Sequence, residues 1–147
     1  MNIKAVIHEK YKEMEIHVCN QEMSPEVSNT ISELGKFLNT GITVIASNGD
    51  RIVLQEKDVC RFYAQDAKVF AQTQTEEFVI PQKLYEIENH LDKTRFLRIS
   101  KSEIINLKKI TRVDLSLLGT IKVCLVGEIE TYTSRRNVTK LKSALGL

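Results

Sequence analysis

Two neighbouring residues have the spacing of a metal-binding pair. His17 and Cys19 are two positions apart, so on a strand both would lie on one face and could face the same metal ion. No third or fourth ligand follows at a matching spacing. The cysteines Cys19, Cys60 and Cys124 lie far apart in apolar stretches, where reduced, buried thiols act as small apolar groups. We therefore expect no metal site.

Sequence motifs of enzymes are also missing. The chain contains no G-x-S-x-G, no Walker phosphate-binding loop and no G-x-G-x-x-G. Carboxylates cluster near residues 9–15 and 86–88, where the polar context is typical of solvated charge. We expect a protein that is not an enzyme and that needs no cofactor. An enzyme with an unrecognised site is the least favoured alternative.

The charge of the chain is polarised. Residues 93–147 hold 12 Lys and Arg against 4 Asp and Glu, a net charge of +8, whereas residues 1–92 carry a net charge of −6. This asymmetry favours a polyanionic partner for the C-terminal part. The alternative is that the basic residues only solvate one end of the molecule.

The composition is that of a soluble globular protein. The chain has 147 residues, 42% of them apolar and 27% charged, which suits one compact domain with a small appendage. No apolar run approaches the roughly 18 residues of a membrane helix, and the N-terminus has no apolar core of a signal peptide. We expect a cytoplasmic protein.

The N-terminal residues 1–40 predict a small ββα unit. Apolar residues alternate over residues 3–7 and 14–18, which predicts two strands. Ser24, placed before a proline, predicts the start of a helix that ends before Gly41. A unit of this size is too small to be stable alone. We expect it to contribute to a dimer interface, the alternative being that it caps the rest of its own chain.

From Gly41 onward the pattern predicts a mainly β (α+β) domain. Asn48-Gly49 predicts a hairpin turn, and short helices are predicted after Pro81 and after Ser134, which would cap the last helix. The predicted strands cover residues 42–46, 51–54, 59–64, 68–73, 78–80, 110–115, 120–125 and 128–133. Residues 96–109 are predicted only as a compact segment.

The C-terminal part resembles a known family. Residues 96–110, FLRISKSEIINLKKI, resemble the signature of the LytTR family of bacterial DNA-binding domains. Three further features follow the family's order: the strand segment KDVCRFYA at residues 57–64, a downstream β-hairpin, and the closing segment TSRRN at residues 133–137. The resemblance covers about residues 41–147.

The resemblance implies an elongated β-rich domain of small sheets and short helices, which places loops in successive major grooves of DNA. It identifies the chain as a small standalone regulator without a receiver domain. The implied function is a sequence-specific, double-stranded DNA-binding transcriptional regulator, acting as a homodimer on paired half-sites. The alternative is a protein-interaction regulator that has lost specific DNA binding. An unknown protein partner would supply the signal.

The resemblance also implies the DNA-binding residues, which lie on three basic loops. The candidates are Lys68, Lys101, Ser102, Arg135, Arg136 and Asn137. Arg136 matches a base-reading arginine of some members and Arg135 the more general arginine, so either could read a base. For Arg98 and Asn106 we expect structural roles, such as bonding loop backbone, with phosphate contact as the second alternative. Glu103 departs from the family, which often carries an aromatic residue there.

Overall fold

The computed structural model describes residues 2, 4–12, 15–38 and 41–147. The chain divides into two compact units, residues 1–39 and residues 40–147, and each is described by itself. The first unit contains the helix α1, Pro25–Leu38. The Ser24 hydroxyl oxygen accepts a hydrogen bond from the Val27 N–H at 3.3 Å, so the predicted helix start is confirmed.

The two predicted N-terminal strands are wrong where the structure describes them. Residues 4–7 and 15–18 form no strand, while Ile3 and Met14 lie outside the described residues. Ile7 is 93% exposed. Alternating apolar residues stabilise a two-stranded hairpin only if one face is covered, because such a hairpin is marginal in water. Cys19, which we expected to be buried, is exposed as well.

The second unit is built from ten strands and two helices. The strands, in chain order, are β1 (Gly41–Ile45), β2 (Arg51–Gln55), β3 (Val59–Gln65), β4 (Lys68–Thr73), β5 (Glu77–Ile80), β6 (Phe96–Ser100), β7 (Glu103–Asn106), β8 (Ile110–Asp114), β9 (Lys122–Leu125) and β10 (Ile129–Tyr132). The helices are α2 (Leu84–His90) and α3 (Val138–Leu145). The predicted fold class, mainly β with short helices, is confirmed.

The strands form two antiparallel sheets. The larger has the order β2-β1-β5-β4-β3-β7-β6 and the smaller the order β10-β9-β8. The Asn48-Gly49 turn joins β1 to β2 as predicted, with Gly49 at a φ of 88° that favours glycine. The domain has two apolar clusters: the first packs on the larger sheet, and the second is shared by the two sheets. Phe62, Phe78 and Ile87 belong to the first cluster, and Val123 and Leu141 to the second.

The compact segment predicted over residues 96–109 is a hairpin of β6 and β7. Ile104 packs in the first cluster and Ile105 in the second, so β7 is buried on both faces. A strand buried on both faces shows no alternation of apolar and polar residues, and this is why the sequence pattern did not predict it.

The last helix begins later than predicted. Arg135–Asn137 form a single 3-10 turn, and α3 follows at Val138. The Ser134 side chain does not cap this turn, which corrects the sequence-based expectation. Instead the Ser134 carbonyl accepts the Asn137 N–H at 3.0 Å. The two arginines therefore lie on a short ordered turn rather than in an open loop.

Candidate nucleic-acid interface

Three basic turns of the second unit are joined by backbone hydrogen bonds. The Ala64 N–H, at the end of β3, donates to the Ser102 carbonyl at 2.8 Å. The Ser134 N–H donates to the Ile99 carbonyl, also at 2.8 Å. The β6–β7 turn is thus bonded on one side to the β3–β4 turn region and on the other to the 3-10 turn. The structure therefore brings together the turns that carry the sequence-predicted site residues.

Arg98 holds the β6–β7 turn in place. Its Nε donates to the Ser100 carbonyl at 2.6 Å, and its Nη2 donates to the Lys101 carbonyl. Its Nη1 donates to Glu88 Oε2 at 2.5 Å, so an acid from α2 fixes the guanidinium. Charge-assisted hydrogen bonds of this kind are the strong ones in proteins. The expected structural role of Arg98 is confirmed.

Asn106 is the second residue with an expected structural role. Its side chain is fully buried, and its Nδ2 donates to the Val59 carbonyl at 2.8 Å. Its Oδ1 accepts the Lys108 N–H at 3.0 Å. The amide thus ties the end of β7 to the start of β3 and to the 3-10 turn that follows β7, which confirms the expectation.

The four predicted basic site residues project into solvent. Lys68, Lys101, Arg135 and Arg136 are exposed. Within the part of the chain that the structure describes, none of their side chains makes a hydrogen bond or an ion pair. An exposed cation without an internal partner keeps its full capacity to bind a phosphate or a base edge. The turns therefore present unpaired positive charge on a backbone that is itself hydrogen-bonded.

The two predicted polar site residues are more engaged. The Ser102 hydroxyl lies 3.4 Å from the Ser100 hydroxyl, which also accepts the Ser102 N–H at 3.2 Å. The Asn137 amide is half-buried and donates to the Ser134 hydroxyl at 2.7 Å. Asn137 thus braces the turn that carries the two arginines. Ser102 remains exposed beside Lys101.

Glu103, the residue that departs from the family, faces inward. It is only 9% exposed. One carboxylate oxygen accepts from Arg61 Nη1 at 3.0 Å and the other from the Thr131 hydroxyl at 2.6 Å. Because Arg61 lies on β3 and Thr131 on β10, the carboxylate bridges the two sheets. The acid next to the cationic turn is therefore neutralised inside and does not oppose an anion at the surface.

The Tyr63 phenol beside this bridge keeps its proton at neutral pH. Tyr63 donates its hydroxyl proton to Glu77 Oε1 at 2.7 Å. Burial, followed by this hydrogen bond, raises the pKa of Tyr63 to about 12. Tyr63 therefore stays neutral, stacked on Phe70 with ring centroids 5.2 Å apart.

Sequence reasoning missed one loop next to this surface. The β8–β9 loop approaches the arginine turn so closely that a methyl group at Gly119 would lie 3.3 Å from Arg135 Nε. Leu118, the residue before this glycine, is 97% exposed. The only sequence signal was a run of leucines after a predicted strand, which is as typical of a core as of a surface loop.

Other site types receive no support from the described parts of the chain. Residues 41–147 and the described part of the first unit contain no group of three His, Cys, Asp or Glu side chains placed to hold a metal ion. The helices described in the structure are all too short or too polar to cross a membrane.

Unpaired cations on hydrogen-bonded turns of a β-rich domain are typical of proteins that bind a polyanion such as nucleic acid. The sequence model of the family described as "LytTr DNA-binding domain" matches residues 49–146. The chain belongs to this family of DNA-binding domains. The predicted family membership is confirmed.

Similar proteins agree with this assignment. The chain is 29% identical to an uncharacterised HTH-type transcriptional regulator of Staphylococcus aureus strain MSSA476, over 100% of this chain and 99% of that protein. A regulator of the same description from strain NCTC 8325 is 28% identical with the same coverage. A solved LytTr DNA-binding domain from Bacillus cereus shares the fold, with a TM-score of 0.68 and 20% identity, covering 73% of this chain and 97% of that one.

Proposed function

We propose that this chain is a transcription regulator that binds double-stranded DNA sequence-specifically and reads major grooves through its turns. The observation that carries the proposal is the set of unpaired cations on turns joined by backbone hydrogen bonds. Membership of a family of DNA-binding domains and the description of the relatives as transcriptional regulators support it. The alternative, a relative that has lost specific DNA binding, finds no support in these observations.

The contacts would be made by turns rather than by a recognition helix. Within residues 41–147, α2 and α3 are separated by five strands, so no helix directly follows another there. Arg136 would read a guanine through two parallel hydrogen bonds, and Arg135 would bind a phosphate. Lys68 and Lys101 would bind phosphates, with Ser102 beside them. Asn137 would act mainly by holding the arginine turn, with any DNA contact secondary.

The experiment is an electrophoretic mobility-shift series on the full chain. The DNA upstream of its own gene is compared with a scrambled sequence of equal length. With ~5 phosphate contacts, each adding about 0.9 to the slope of log K against log salt, binding should weaken several hundredfold from roughly 50 to 200 mM salt. Equal affinity for both DNAs, or a binding constant that barely changes with salt, would contradict the proposal.

We further propose a cytoplasmic homodimer that uses the first unit at its interface. Val27, Ile31 and Leu34 recur at helical spacing on α1, and Ile31 is 47% exposed. A dimer would place two readers on paired half-sites. Light scattering should give the mass of two chains for the full protein and of one chain for a protein shortened to begin at Gly41. A shortened protein that is folded and still dimeric would contradict this role.

A further inference from the structure

The exposed side chains of the β8–β9 loop are mostly apolar. Residues 115–121, LSLLGTI, contain no charged side chain. Leu118 is almost completely exposed, and Leu115 and Leu117 are exposed beside it. Exposed leucines contribute no stability to the folded chain, since apolar burial stabilises only when water is excluded. The Leu118 side chain at the loop tip is therefore free to contact a partner.

Both hydroxyl groups of the loop donate hydrogen bonds within the chain. The Ser116 hydroxyl donates to Asp114 Oδ1 at 2.6 Å, and the Ser116 N–H donates to the same oxygen at 2.9 Å. The Thr120 hydroxyl donates to the Thr133 carbonyl at 2.6 Å. These bonds fix both ends of the loop. They also engage the proton of each hydroxyl, and the most exposed side chain of the loop, Leu118, is apolar.

The loop is anchored next to the arginine turn. The Thr133 N–H donates to the Ile121 carbonyl at 3.0 Å, and the Ile121 N–H donates to the Thr133 hydroxyl at 3.1 Å. Thr133 immediately precedes Ser134, which begins the turn with the two arginines. Together with the approach of Gly119 to Arg135, these bonds place the leucine tip, which comprises residues 115–118, beside the turn that carries the two arginines.

We infer that Leu118 is a specificity-determining residue that contacts the C5-methyl group of a thymine in the major groove. This inference rests on the proposed function. Among base-pair edges, the thymine methyl is the apolar feature of the major groove, and apolar side chains are what recognise it. The Leu118 side chain has no donor or acceptor for a hydrogen bond, but it can contact this methyl group.

The test replaces thymine with uracil, which removes the methyl group and leaves every hydrogen bond of the base pair. A high-affinity site is first selected from random DNA with the full chain. Each thymine of that site is then changed to deoxyuridine, and the dissociation constants of the unaltered protein, Leu118→Ala and Leu118→Met are measured on every DNA. Val53→Ala is the matched control, because Val53 is an exposed apolar residue on the edge strand β2.

The unaltered protein and Leu118→Met should lose about fourfold in affinity at one or two uracil positions, the factor for removing one buried methyl group. Leu118→Ala should bind the thymine site about tenfold more weakly and should be insensitive to uracil at those positions. Val53→Ala should behave as the unaltered protein. Each variant should keep its melting temperature, since Leu118 contacts almost nothing in the folded chain.

Two results would overturn the inference alone. In the first, uracil has no effect at any position while Leu118→Ala still weakens binding, as expected for a leucine wedged between bases. In the second, Leu118→Ala leaves both affinity and the uracil effect unchanged. A full chain that binds no selected DNA more tightly than random DNA would instead overturn the proposed function itself.

Discussion

A buried carboxylate lies near each end of strands β3, β6 and β7, and the two carboxylates differ in their hydrogen bonds. At the end that carries the basic turns, both oxygens of Glu103 are hydrogen-bonded, to Arg61 and to Thr131. At the other end, Glu56 is buried to a similar extent, at 6% exposed, but its Oε2 has no hydrogen-bond partner. Burial of a carboxylate is tolerated without loss only when its oxygens are paired.

The two ends therefore differ in how completely their buried polar groups are hydrogen-bonded. Burial, reinforced by the nearby Asp92 carboxylate, raises the pKa of Glu56, while Arg95 opposes the shift. The end with the basic turns has no such unmet group among the described residues. A DNA-binding surface needs its loops held in one geometry. The hydrogen bonds at the end with the basic turns hold them in this way.

The largest expected effect comes from removing the Glu103 carboxylate, which joins the two sheets. Glu103→Ala should lower the free energy of unfolding by about 3 kcal/mol, because the buried Thr131 hydroxyl loses its acceptor and Arg61 keeps only the hydrogen bond from its Nε to Gln72. Urea denaturation monitored by circular dichroism measures it. Glu103→Gln, which keeps an acceptor for Thr131, should lose clearly less. A change below about 0.5 kcal/mol in the alanine variant would show that the bridge does not hold the sheets together.

The next effect concerns the DNA affinity that we assign to Arg136 and Lys101 on the basic turns. Arg136→Ala should weaken binding to the specific site by about 1–3 kcal/mol and relax the preference at one base position. Lys101→Ala should weaken binding to specific and scrambled DNA more evenly, because lysine contacts phosphates. Fluorescence anisotropy with both DNAs distinguishes the two, with melting temperature as the check on folding.

Arg135→Ala serves as the matched comparison for Arg136→Ala. If Arg135→Ala loses affinity and discrimination while Arg136→Ala keeps both, the roles of the two arginines are exchanged. If neither substitution changes binding, the turn is structural and the protein-interaction alternative gains ground.

A smaller effect should appear at the end of the strands that contains Glu56. Glu56→Gln should raise the free energy of unfolding at pH 7 by about 1 kcal/mol, because it removes a buried charge with an unpaired oxygen. The pKa of Glu56 is higher in the folded chain than in the unfolded chain. At neutral pH the ionised carboxylate therefore destabilises the folded state. The gain should therefore shrink as the pH falls through the raised pKa and vanish below about 4.5.

The exposed Glu76 provides a control for this titration. Glu76→Gln should show no comparable gain at any pH, since its carboxylate is not buried. Denaturation curves between pH 4 and pH 8 compare the two variants. A Glu56→Gln protein that is less stable at pH 7 than at pH 4, relative to the unaltered chain, would show that Arg95 outweighs the burial.

The smallest effect lies in the β3–β4 turn before Lys68. Asp66 and Ala67 both adopt positive φ, at 51° and 62°, where a residue with a Cβ is strained. Ala67→Gly should relieve this strain but enlarge the conformational freedom of the unfolded chain. The net gain should be ~0.5 kcal/mol, a rise of roughly 2 °C in melting temperature. A lower melting temperature would show that the turn is not strained at Ala67.

Local signals explain what the sequence could predict. The helix start at Ser24, the Asn48-Gly49 turn and the short helix after Pro81 each follow from residues a few positions apart. The family signature added the identity of the basic turns. The helix start, the turn and the short helix need no knowledge of the tertiary fold, and the structure contains all three.

Non-local contacts explain what the sequence could not predict. Glu103 is 42 positions from Arg61 and 28 from Thr131, so no local pattern reveals that it turns inward. The strand β7 escaped because both of its faces are buried. The N-terminal alternation was over-interpreted, since alternation does not guarantee a partner sheet. The leucine tip became visible only once Gly119 was placed beside Arg135.

The bonds between the basic turns use main-chain atoms at Ala64, Ile99, Ser102 and Ser134. Substitutions at the neighbouring outward positions therefore leave the placement of the turns intact. Over evolutionary time, a lineage carrying this domain can exchange the residues that face DNA one by one and acquire a new operator without passing through unfolded intermediates. Gene duplication followed by such exchanges would give regulators that share one architecture and control different promoters.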